Sequence, residues 1–408
     1  MATDRDEARL KILHEGRSPL YEPGLQELLD KHFASGRLRL VDDIETVVND
    51  ATVLFICVGT PQAEDGQANL SNVEDVVASI ARHIDGYRII VEKSTVPVTT
   101  AGWISRTIAA NANGVTEFDV ASNPEFLREG SAVSDFLNPD RIVLGVESER
   151  ARDTLERVYA SFDCPIFVTD LNTVELIKHA SNSFLAMRIS FINMIADACE
   201  ATGADITKVA AGMGLDPRIG PAHLEAGLGY GGSCFPKDVR AFIHMGEQLG
   251  VDFALLKVVE NINDARIDKM VDRLVSALGG MEDRRIGVLG LAFKPGTDDT
   301  RESPSLKVVQ RLRAAGAILR LHDPKAMEGT KAVLPESPGR LTYCQSPYDA
   351  AEGSDALLLL TAWPEYRELD FARLRELMST PMILDGRNLL DPPEMRRLGF
   401  DYSSMGRA

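Results

Sequence analysis

The sequence predicts an α/β protein in which two parallel-sheet units are joined by a long central helix and further helical sequence. Two observations predict this class. Short β-rich runs alternate with helical segments towards both ends of the chain, and an almost uninterrupted helical pattern fills the middle. With 408 residues and 44% hydrophobic content, the chain can also bury more than one core.

The first part of the chain is predicted to form a parallel α/β unit. Three β-rich runs end in turn residues, and segments with helical periodicity precede or separate them. Ligands of parallel sheets gather at the carboxyl ends of the strands, so the loops after these runs are candidate binding segments. The predicted helices lie within 7–16, 25–36 and 73–84, and the predicted strands lie within 51–61, 87–97 and 118–126.

A long helix is predicted from Asn172 to Gly203, followed by a second helical stretch at 206–214. Apolar residues nearly surround the long segment, which favours burial between domains or subunits and predicts the core of a homodimer. A second α/β unit begins after Glu282. We therefore expect a first domain over 1–171, a central helical domain over 172–280 and a third domain over 281–408.

Charge and composition exclude several classes of protein. The formal net charge of -17 argues against non-specific nucleic-acid binding, which relies on a basic surface. No stretch approaches the roughly 20 apolar residues that a membrane helix needs, and we expect a cytoplasmic protein without a membrane partner. The five cysteines form no CxxC pair, so neither a disulfide framework nor a metal site is predicted.

The start of the chain matches only part of a dinucleotide-binding unit. Such a unit opens with a strand, a glycine-rich turn and a helix, and an acidic residue follows about 20 positions later. Asp4 and Asp6 match that acidic position, yet almost nothing precedes them. We therefore expect the first strand and glycine turn to be absent. The alternative is that both residues are helix N-terminal charges.

Two polar pairs at helical spacing are candidate catalytic groups. Lys178 and Asn182 would share one helix face and could donate hydrogen bonds to one oxyanion, although a lone lysine is usually a solvated surface residue. Glu125 and Glu129 would share a face if the chain becomes helical after Pro124, and one could then activate water. Two acids that complement a helix dipole are the alternative reading.

Cys234 lies in the segment GYGGSCFPKD, Gly229 to Asp238. The glycines permit close approach of backbone and ligand, and a helix that starts after the cysteine would stabilise its thiolate. A lone cysteine is more often a small buried residue. Lys237 and Asp238 follow within one turn and favour a nucleophile.

The motifs resemble, in order and along essentially the whole chain, those of the UDP-glucose 6-dehydrogenase family within the UDP-glucose/GDP-mannose dehydrogenases. The resemblance implies Rossmann-like sheet domains and a four-electron oxidation of UDP-glucose with NAD as the cofactor. The motifs are YEPGL (21–25), FICVGTP (55–61), KSTVP (93–97), SNPEFLREG (122–130), NPDRIV (138–143), the Lys178/Asn182 helix, GYGGSCFPKD (229–238), GLAFKPGTDDTRESPS (290–305) and DGRN (385–388).

The resemblance also implies a role for each catalytic residue. Lys178 and Asn182 would stabilise the oxyanion, while Asp238 would assist proton removal through water. Cys234 would form a thiohemiacetal and then a thioester. Glu125, with Thr95 nearby, would activate the water that cleaves the thioester.

The resemblance further assigns binding residues. Arg301 could contact either cofactor or substrate, and Arg218 would act across a dimer interface as a phosphate or sugar clamp. The implied cofactor contacts are Asp4, Arg9, Val58, Thr60, Thr95, Glu129 and Arg301. The implied substrate contacts are Glu125, Lys178, Asn182, Arg218, Tyr230, Gly231, Phe293, Lys294 and Arg387.

Three alternatives remain open from the sequence. GDP-mannose dehydrogenases and UDP-N-acetylhexosamine dehydrogenases share this architecture, and base and sugar choice depends on loops. An inactive nucleotide-sugar-binding protein of another class is the third possibility, because the glycine turn is expected to be absent while the C-terminal unit is present.

Overall fold

The chain folds into two α/β units in a computed structural model that describes residues 1–63, 66–112, 114 and 117–407. The first unit comprises Met1–Asn182 and Arg240–Val251, and the second comprises Ser183–Val239 and Asp252–Ala408. Helix α8, Leu171–Thr202, begins in the first unit and ends in the second.

The first unit contains a five-stranded sheet in the order β1-β2-β3-β4-β5. Strand β2, which lies between β1 and β3, is buried on both faces, and its successive side chains point to opposite sides. Ile90 packs in one core with Val77 and Ile104, while Ile89 packs in another core with Leu155. The strands are β1 Val53–Ile56, β2 Ile89–Glu92, β3 Asp119–Ser122, β4 Ile142–Gly145 and β5 Ile166–Thr169. The helices that begin and end in this unit are α1 Glu7–His14, α2 Leu25–Ala34, α3 Ile44–Asp50, α4 Ser71–His83, α5 Thr100–Asn111, α6 Ala132–Leu137 and α7 Glu149–Tyr159.

The sheet of the first unit departs from the all-parallel prediction at one pair of strands. β3 and β4 are antiparallel, and a single residue pair, Ser122 opposite Gly145, joins them. The connection between the two strands contains only the six-residue helix α6. A helix of that length is too short to carry the chain back across the sheet, as a parallel crossover requires.

The second unit contains a six-stranded, entirely parallel sheet in the order β11-β10-β9-β6-β7-β8. Val288, Leu358 and Ile383 from its inner strands pack with Met270 and Leu274 in one core. The strands are β6 Arg285–Leu289, β7 Ile318–His322, β8 Leu341–Tyr343, β9 Ala356–Leu359, β10 Met382–Asp385 and β11 Asp401–Ser404. The helices are α9 Ile206–Gly214, α10 Phe235–Leu249, which ends in the first unit, α11 Ala254–Leu278, α12 Pro304–Ala314, α13 Met327–Val333, α14 Pro347–Ala351, α15 Phe371–Leu377 and α16 Pro392–Arg397.

The structure confirms the predicted class and the predicted elements. The β-rich runs all contain strands, and the helical segment from Asn172 to Gly203 corresponds to α8. Within the described ranges, no helix combines the length and apolar character needed to cross a membrane.

Candidate active site

Three loops leave the same edge of the first unit's sheet. β1, β2 and β3 are parallel and in register, with Ile56 beside Glu92 and Glu92 beside Ser122. Their carboxyl ends therefore meet at one edge, where open α/β sheets bind ligands. The loops that follow are 57–62, 93–97 and 123–130.

Hydrogen bonds join the first two of these loops. The Thr60 hydroxyl donates to the Thr95 carbonyl at 2.8 Å, and the Ser94 hydroxyl donates to the Val58 carbonyl at 2.7 Å. The structure thus brings together Val58, Thr60 and Thr95, three of the residues predicted to line the cofactor groove.

Lys178 and Glu125 form a partly buried ion pair in the first unit. Lys178 is only 3% exposed, and its Nζ lies 3.1 Å from Glu125 Oε1. The same ammonium donates to the Glu125 carbonyl and lies 5.2 Å from the centre of the Phe126 ring. Asn182, one helical turn further along α8, is also buried. The alternative interpretation, in which Lys178 is a solvated surface residue, is therefore wrong.

The predicted helical pairing of Glu125 with Glu129 is also wrong. Residues 123–128 have no helical structure, and the next helix begins only at Ala132. Glu125 Oε2 accepts a hydrogen bond from the Leu127 N–H at 2.6 Å, and Glu22 accepts from the N–H groups of Gly130 and Ala132. These carboxylates bind backbone groups that a helix would otherwise use, so the segment remains a loop.

A neighbouring lysine, Lys93, was missed by the sequence analysis. Its ammonium donates to the Asn123 side-chain oxygen at 3.0 Å and to the Asn123 carbonyl at 3.3 Å. Tyr159 donates to the same side-chain oxygen. Burial lowers the pKa of Lys93, and the nearby charge of Lys178 lowers it further. Lys93 is the first residue of the motif KSTVP, and its place in this motif is the sequence feature that could have identified it as a site residue.

The two acids near the start of the chain have different roles. Asp6 caps α1 by accepting hydrogen bonds from the N–H groups of Ala8 and Arg9, as the helix-charge alternative expects. Asp4 forms an ion pair with Arg9 at 2.8 Å. Partial burial acts to raise the pKa of Asp4, but the Asp6 N–H and the Arg9 guanidinium outweigh it and lower the pKa.

Cys234 lies in the second unit and immediately precedes α10. It is partly exposed, and its sulfur lies 3.5 Å from the Ser233 hydroxyl. Asp238, in the first turn of α10, is 1% exposed, and its carboxylate lies 2.7 Å from the Lys237 ammonium. A helix N-terminus favours negative charge, so this position suits a thiolate.

The glycines before Cys234 pack against the segment that follows β6. Gly232 has a φ of +83°, and a Cβ there would lie 2.7 Å from the Phe293 ring. A Cβ on Gly231 would lie 2.3 Å from the Glu302 carbonyl oxygen. These short distances require glycine at positions 231 and 232. Tyr230, which precedes them in the same loop, is buried.

Several predicted binding residues therefore lie in one cluster of the second unit. The Gly232 N–H donates to the Arg301 carbonyl at 3.0 Å, and the Arg301 side chain forms an ion pair with Asp299. The Lys294 ammonium lies 5.5 Å from the centre of the Phe293 ring. This cluster contains Tyr230, Gly231, Phe293, Lys294 and Arg301.

Arg387 donates hydrogen bonds to three backbone carbonyls of the second unit. Its partners are Leu360 at 2.8 Å, Gly229 at 3.1 Å and Phe293 at 3.4 Å. Burial lowers the pKa of Arg387 to about 10. Arg218, in contrast, has an 87% exposed side chain that pairs with Asp216.

The chain matches three consecutive domains of one family. Residues 1–163 match the NAD binding domain, residues 172–265 match the central domain, and residues 287–392 match the UDP binding domain of the UDP-glucose/GDP-mannose dehydrogenase family. The chain belongs to this family. The sequence-based resemblance is therefore confirmed.

Relatives in this family match nearly the whole chain. The UDP-glucose 6-dehydrogenase of Rhizobium meliloti (strain 1021) is 44% identical over 414 residues, covering 100% of this chain and 94% of the relative. That of Pseudomonas aeruginosa is 44% identical over 413 residues, covering 99% and 91%. Among solved structures, a UDP-glucose dehydrogenase from Pyrobaculum islandicum is 42% identical with a TM-score of 0.93, covering 100% and 91%.

NAD is the cofactor of the family domain that residues 1–163 match. The residues at the strand ends suit parts of such a ligand. Asp4 and Arg9 offer a carboxylate for ribose hydroxyls and a guanidinium for phosphate, and the loops with Thr60 and Thr95 are held side by side. These four residues are therefore the candidates for holding NAD.

Proposed function

We propose that the protein catalyses the NAD-dependent oxidation of UDP-glucose to UDP-glucuronate. The observation that carries this proposal is the 42–44% identity, over 99–100% of the chain, to relatives named UDP-glucose 6-dehydrogenase. When bound, NAD+ supplies an acceptor for hydride. The acid, base, nucleophile and oxyanion donors are assigned to side chains of this protein, and water is the second reactant.

Lys178 and Asn182 act as oxyanion donors in this proposal. Both side chains are buried on one helix face, where low polarity strengthens a hydrogen bond to a developing alkoxide. The contacts of Lys178 with Glu125 fix the ammonium before substrate arrives. Preorganised donors need no reorientation during the reaction.

Cys234 acts as the nucleophile. Its thiolate adds to the C6 aldehyde to give a thiohemiacetal, and loss of hydride from that carbon leaves a thioester. The N-terminus of α10 favours the thiolate before attack. Asp238, through water, takes the proton that the C6 alcohol releases in the first oxidation.

Glu125 activates the water that cleaves the thioester. The water proton passes to the carboxylate, its oxygen bonds to C6, and the Cys234 sulfur leaves as a thiolate. Thr95, in the loop beside Thr60, helps to position this water.

The nucleotide part of the substrate is assigned to the second unit, which contains the residues that match the UDP binding domain. Tyr230, Gly231, Phe293 and Lys294 contact it from the glycine loop and from the segment after β6. The residues proposed to contact the sugar are Glu125, Lys178 and Asn182. The residues proposed to contact the cofactor are Asp4, Arg9, Val58, Thr60, Thr95 and Glu129. Arg301 serves either ligand, while Arg218 and Arg387 supply guanidinium groups for phosphate or sugar.

The first test is the stoichiometry of the reaction. The purified 408-residue chain, incubated with UDP-glucose and excess NAD+, should form two NADH per sugar because oxidation of an alcohol to an acid releases four electrons. GDP-mannose and UDP-N-acetylmannosamine serve as competing substrates, the latter because a UDP-D-ManNAc dehydrogenase from Pyrococcus horikoshii is 27% identical with a TM-score of 0.87. A higher kcat/KM for either competitor would refute UDP-glucose as the substrate.

The second unit also presents an apolar surface that suits a second copy of this chain. Phe184, Phe191 and Met194 on α8, with Leu255 and Val258 on α11, are 41–61% exposed. The Ser190 hydroxyl donates to the Val259 carbonyl, so the two helices are in contact. We assign this surface to a homodimer contact, and Phe191→Asp should shift sedimentation from dimer to monomer. A wild-type monomer at micromolar concentration would refute it.

Location and domain boundaries stay predictions. All five cysteines are free thiols, as expected in a reducing cytoplasm. The division into domains 1–171, 172–280 and 281–408 can be examined by limited proteolysis.

A further inference from the structure

Helix α11 holds the backbone of the glycine loop before Cys234 through two buried side chains. Asn263 Oδ1 accepts a hydrogen bond from the Tyr230 N–H at 2.8 Å, and Asn263 Nδ2 donates to the Tyr230 carbonyl at 3.2 Å. One turn along, the Arg266 guanidinium donates to the Gly227 carbonyl at 3.2 Å. The loop is therefore held at Gly227 and again at Tyr230.

The loop backbone at Gly229 also packs closely against the amide of Asn263. Gly229 has a φ of +90°, and a Cβ at that position would lie 2.3 Å from Asn263 Oδ1. Asn193 on α8 completes the attachment because its side-chain oxygen accepts from the Gly227 N–H at 2.8 Å. Both Asn193 and Asn263 are buried, so water competes little for these hydrogen bonds.

The next two glycines of the loop contact the segment that follows β6. Gly231 packs against the Glu302 carbonyl, and Gly232 packs against the Phe293 ring. Ser233 and Cys234 follow directly, so a displacement of Tyr230 would be transmitted along four residues to the thiol. The loop is thus held by contacts from α11 and by contacts from Glu302 and Phe293.

We propose that Asn263 is a positioning residue for Cys234: by binding both backbone groups of Tyr230, it sets the placement of the thiol beside the substrate residues Gly231 and Phe293. Asparagine suits this task because its amide offers an acceptor and a donor at one end. Aspartate has the same shape, but its second oxygen would face the Tyr230 carbonyl and repel it. The consequence for turnover rests on the proposed oxidation of UDP-glucose.

The test compares Asn263→Asp with Asn261→Asp, an exposed position on the same helix. In the 408-residue chain without ligands, the rate of Cys234 alkylation by iodoacetamide is followed by mass spectrometry of its peptide. Steady-state kinetics with UDP-glucose and thermal unfolding are measured in parallel. We expect Asn263→Asp to change the alkylation rate and to lower kcat by about tenfold or more, because small misplacements cost up to about 10²-fold.

The results distinguish positioning from simple stabilisation. A purely structural role for Asn263 would lower Tm while leaving kcat per folded molecule and the alkylation rate within about twofold of Asn261→Asp, and this result would overturn the proposal. If the wild-type chain does not oxidise UDP-glucose, the proposed function fails, yet the alkylation comparison still decides the role of Asn263. Should Asn263→Asp not fold, the uncharged replacement Asn263→Ser is tested by the same two rates.

Discussion

Replacement of Glu92 by glutamine should stabilise the first unit at neutral pH. Glu92 ends the inner strand β2 and is fully buried. Burial raises its pKa from the ordinary value of 4.5 to about 8, Ser94 opposes the shift, and the carboxyl of Glu175 adds to it. Burial also raises the pKa of Glu175 to about 7. The folded chain therefore keeps Glu92 protonated over a range in which the unfolded chain does not.

The sign and size of the effect follow from this difference. Between pH 4.5 and about 8, unfolding releases a proton from Glu92, so stability falls as the pH rises and levels off above about 8. At about 1.4 kcal/mol per pH unit, the loss of stability between pH 4.5 and pH 7 is at most about 3.5 kcal/mol. Glutamine has no such proton to lose. For a domain of this size, about 1 kcal/mol corresponds to roughly 2–4 °C in Tm.

The assay is calorimetric Tm from about pH 5 to pH 9, with the exposed residue Glu147 changed to glutamine as the control. We expect Glu92→Gln to raise Tm by several degrees at pH 7 and to flatten its dependence on pH, while Glu147→Gln follows the wild type. An equal or lower Tm for Glu92→Gln at pH 7 to 8, with the wild-type slope, would refute the reasoning.

Three further substitutions test the second unit. Cys234→Ser should abolish formation of the acid while calorimetric binding of UDP-glucose remains, and unchanged acid production would rule out the thioester route. Gly232→Ala would place a Cβ 2.7 Å from the Phe293 ring at a residue with a φ of +83°. We therefore expect KM for UDP-glucose to rise about tenfold, with kcat less affected. An unchanged KM would show that Phe293 does not contribute to substrate binding. Asp323→Asn should lower stability by about 2–4 kcal/mol, since Asp323 accepts hydrogen bonds from four backbone N–H groups and from Trp363. A calorimetric scan within about 1 °C of wild type would contradict that estimate.

Local sequence patterns were sufficient to predict most of the fold. The first three residues of β2, IIV, are apolar and β-branched, so the strand conformation of this run depends little on distant residues. The antiparallel direction of β4 relative to β3 was not predicted. This direction depends on the length of α6 and on the path of the loop between the two strands. Both β3 and β4 have four residues and are almost wholly buried, so their local patterns do not distinguish the two directions.

The candidate site was predicted where motifs carry the chemistry and missed where distant contacts decide the structure. Cys234 and Lys178 belong to recognisable motifs, and the structure places them at a helix start and in a partly buried ion pair. The loop at Glu125 was misjudged because Glu22, about a hundred residues earlier in the chain, binds the backbone beyond it. The amide of Asn263 forms a hydrogen bond with Tyr230, which lies 33 positions earlier in the chain. The helical periodicity of the sequence does not predict that contact.

The interlocked glycines have a consequence for engineering the substrate range. Randomising the loop at Gly229, Gly231 and Gly232 would yield mostly misfolded variants, because each added Cβ meets backbone or an inflexible neighbour closer than 3 Å. Single replacements at Gly229 would require a simultaneous change at Asn263, so stepwise selection would rarely find them. Libraries intended to accept new sugars should therefore vary side chains around Phe293 and Lys294 and keep the glycine loop as an invariant scaffold.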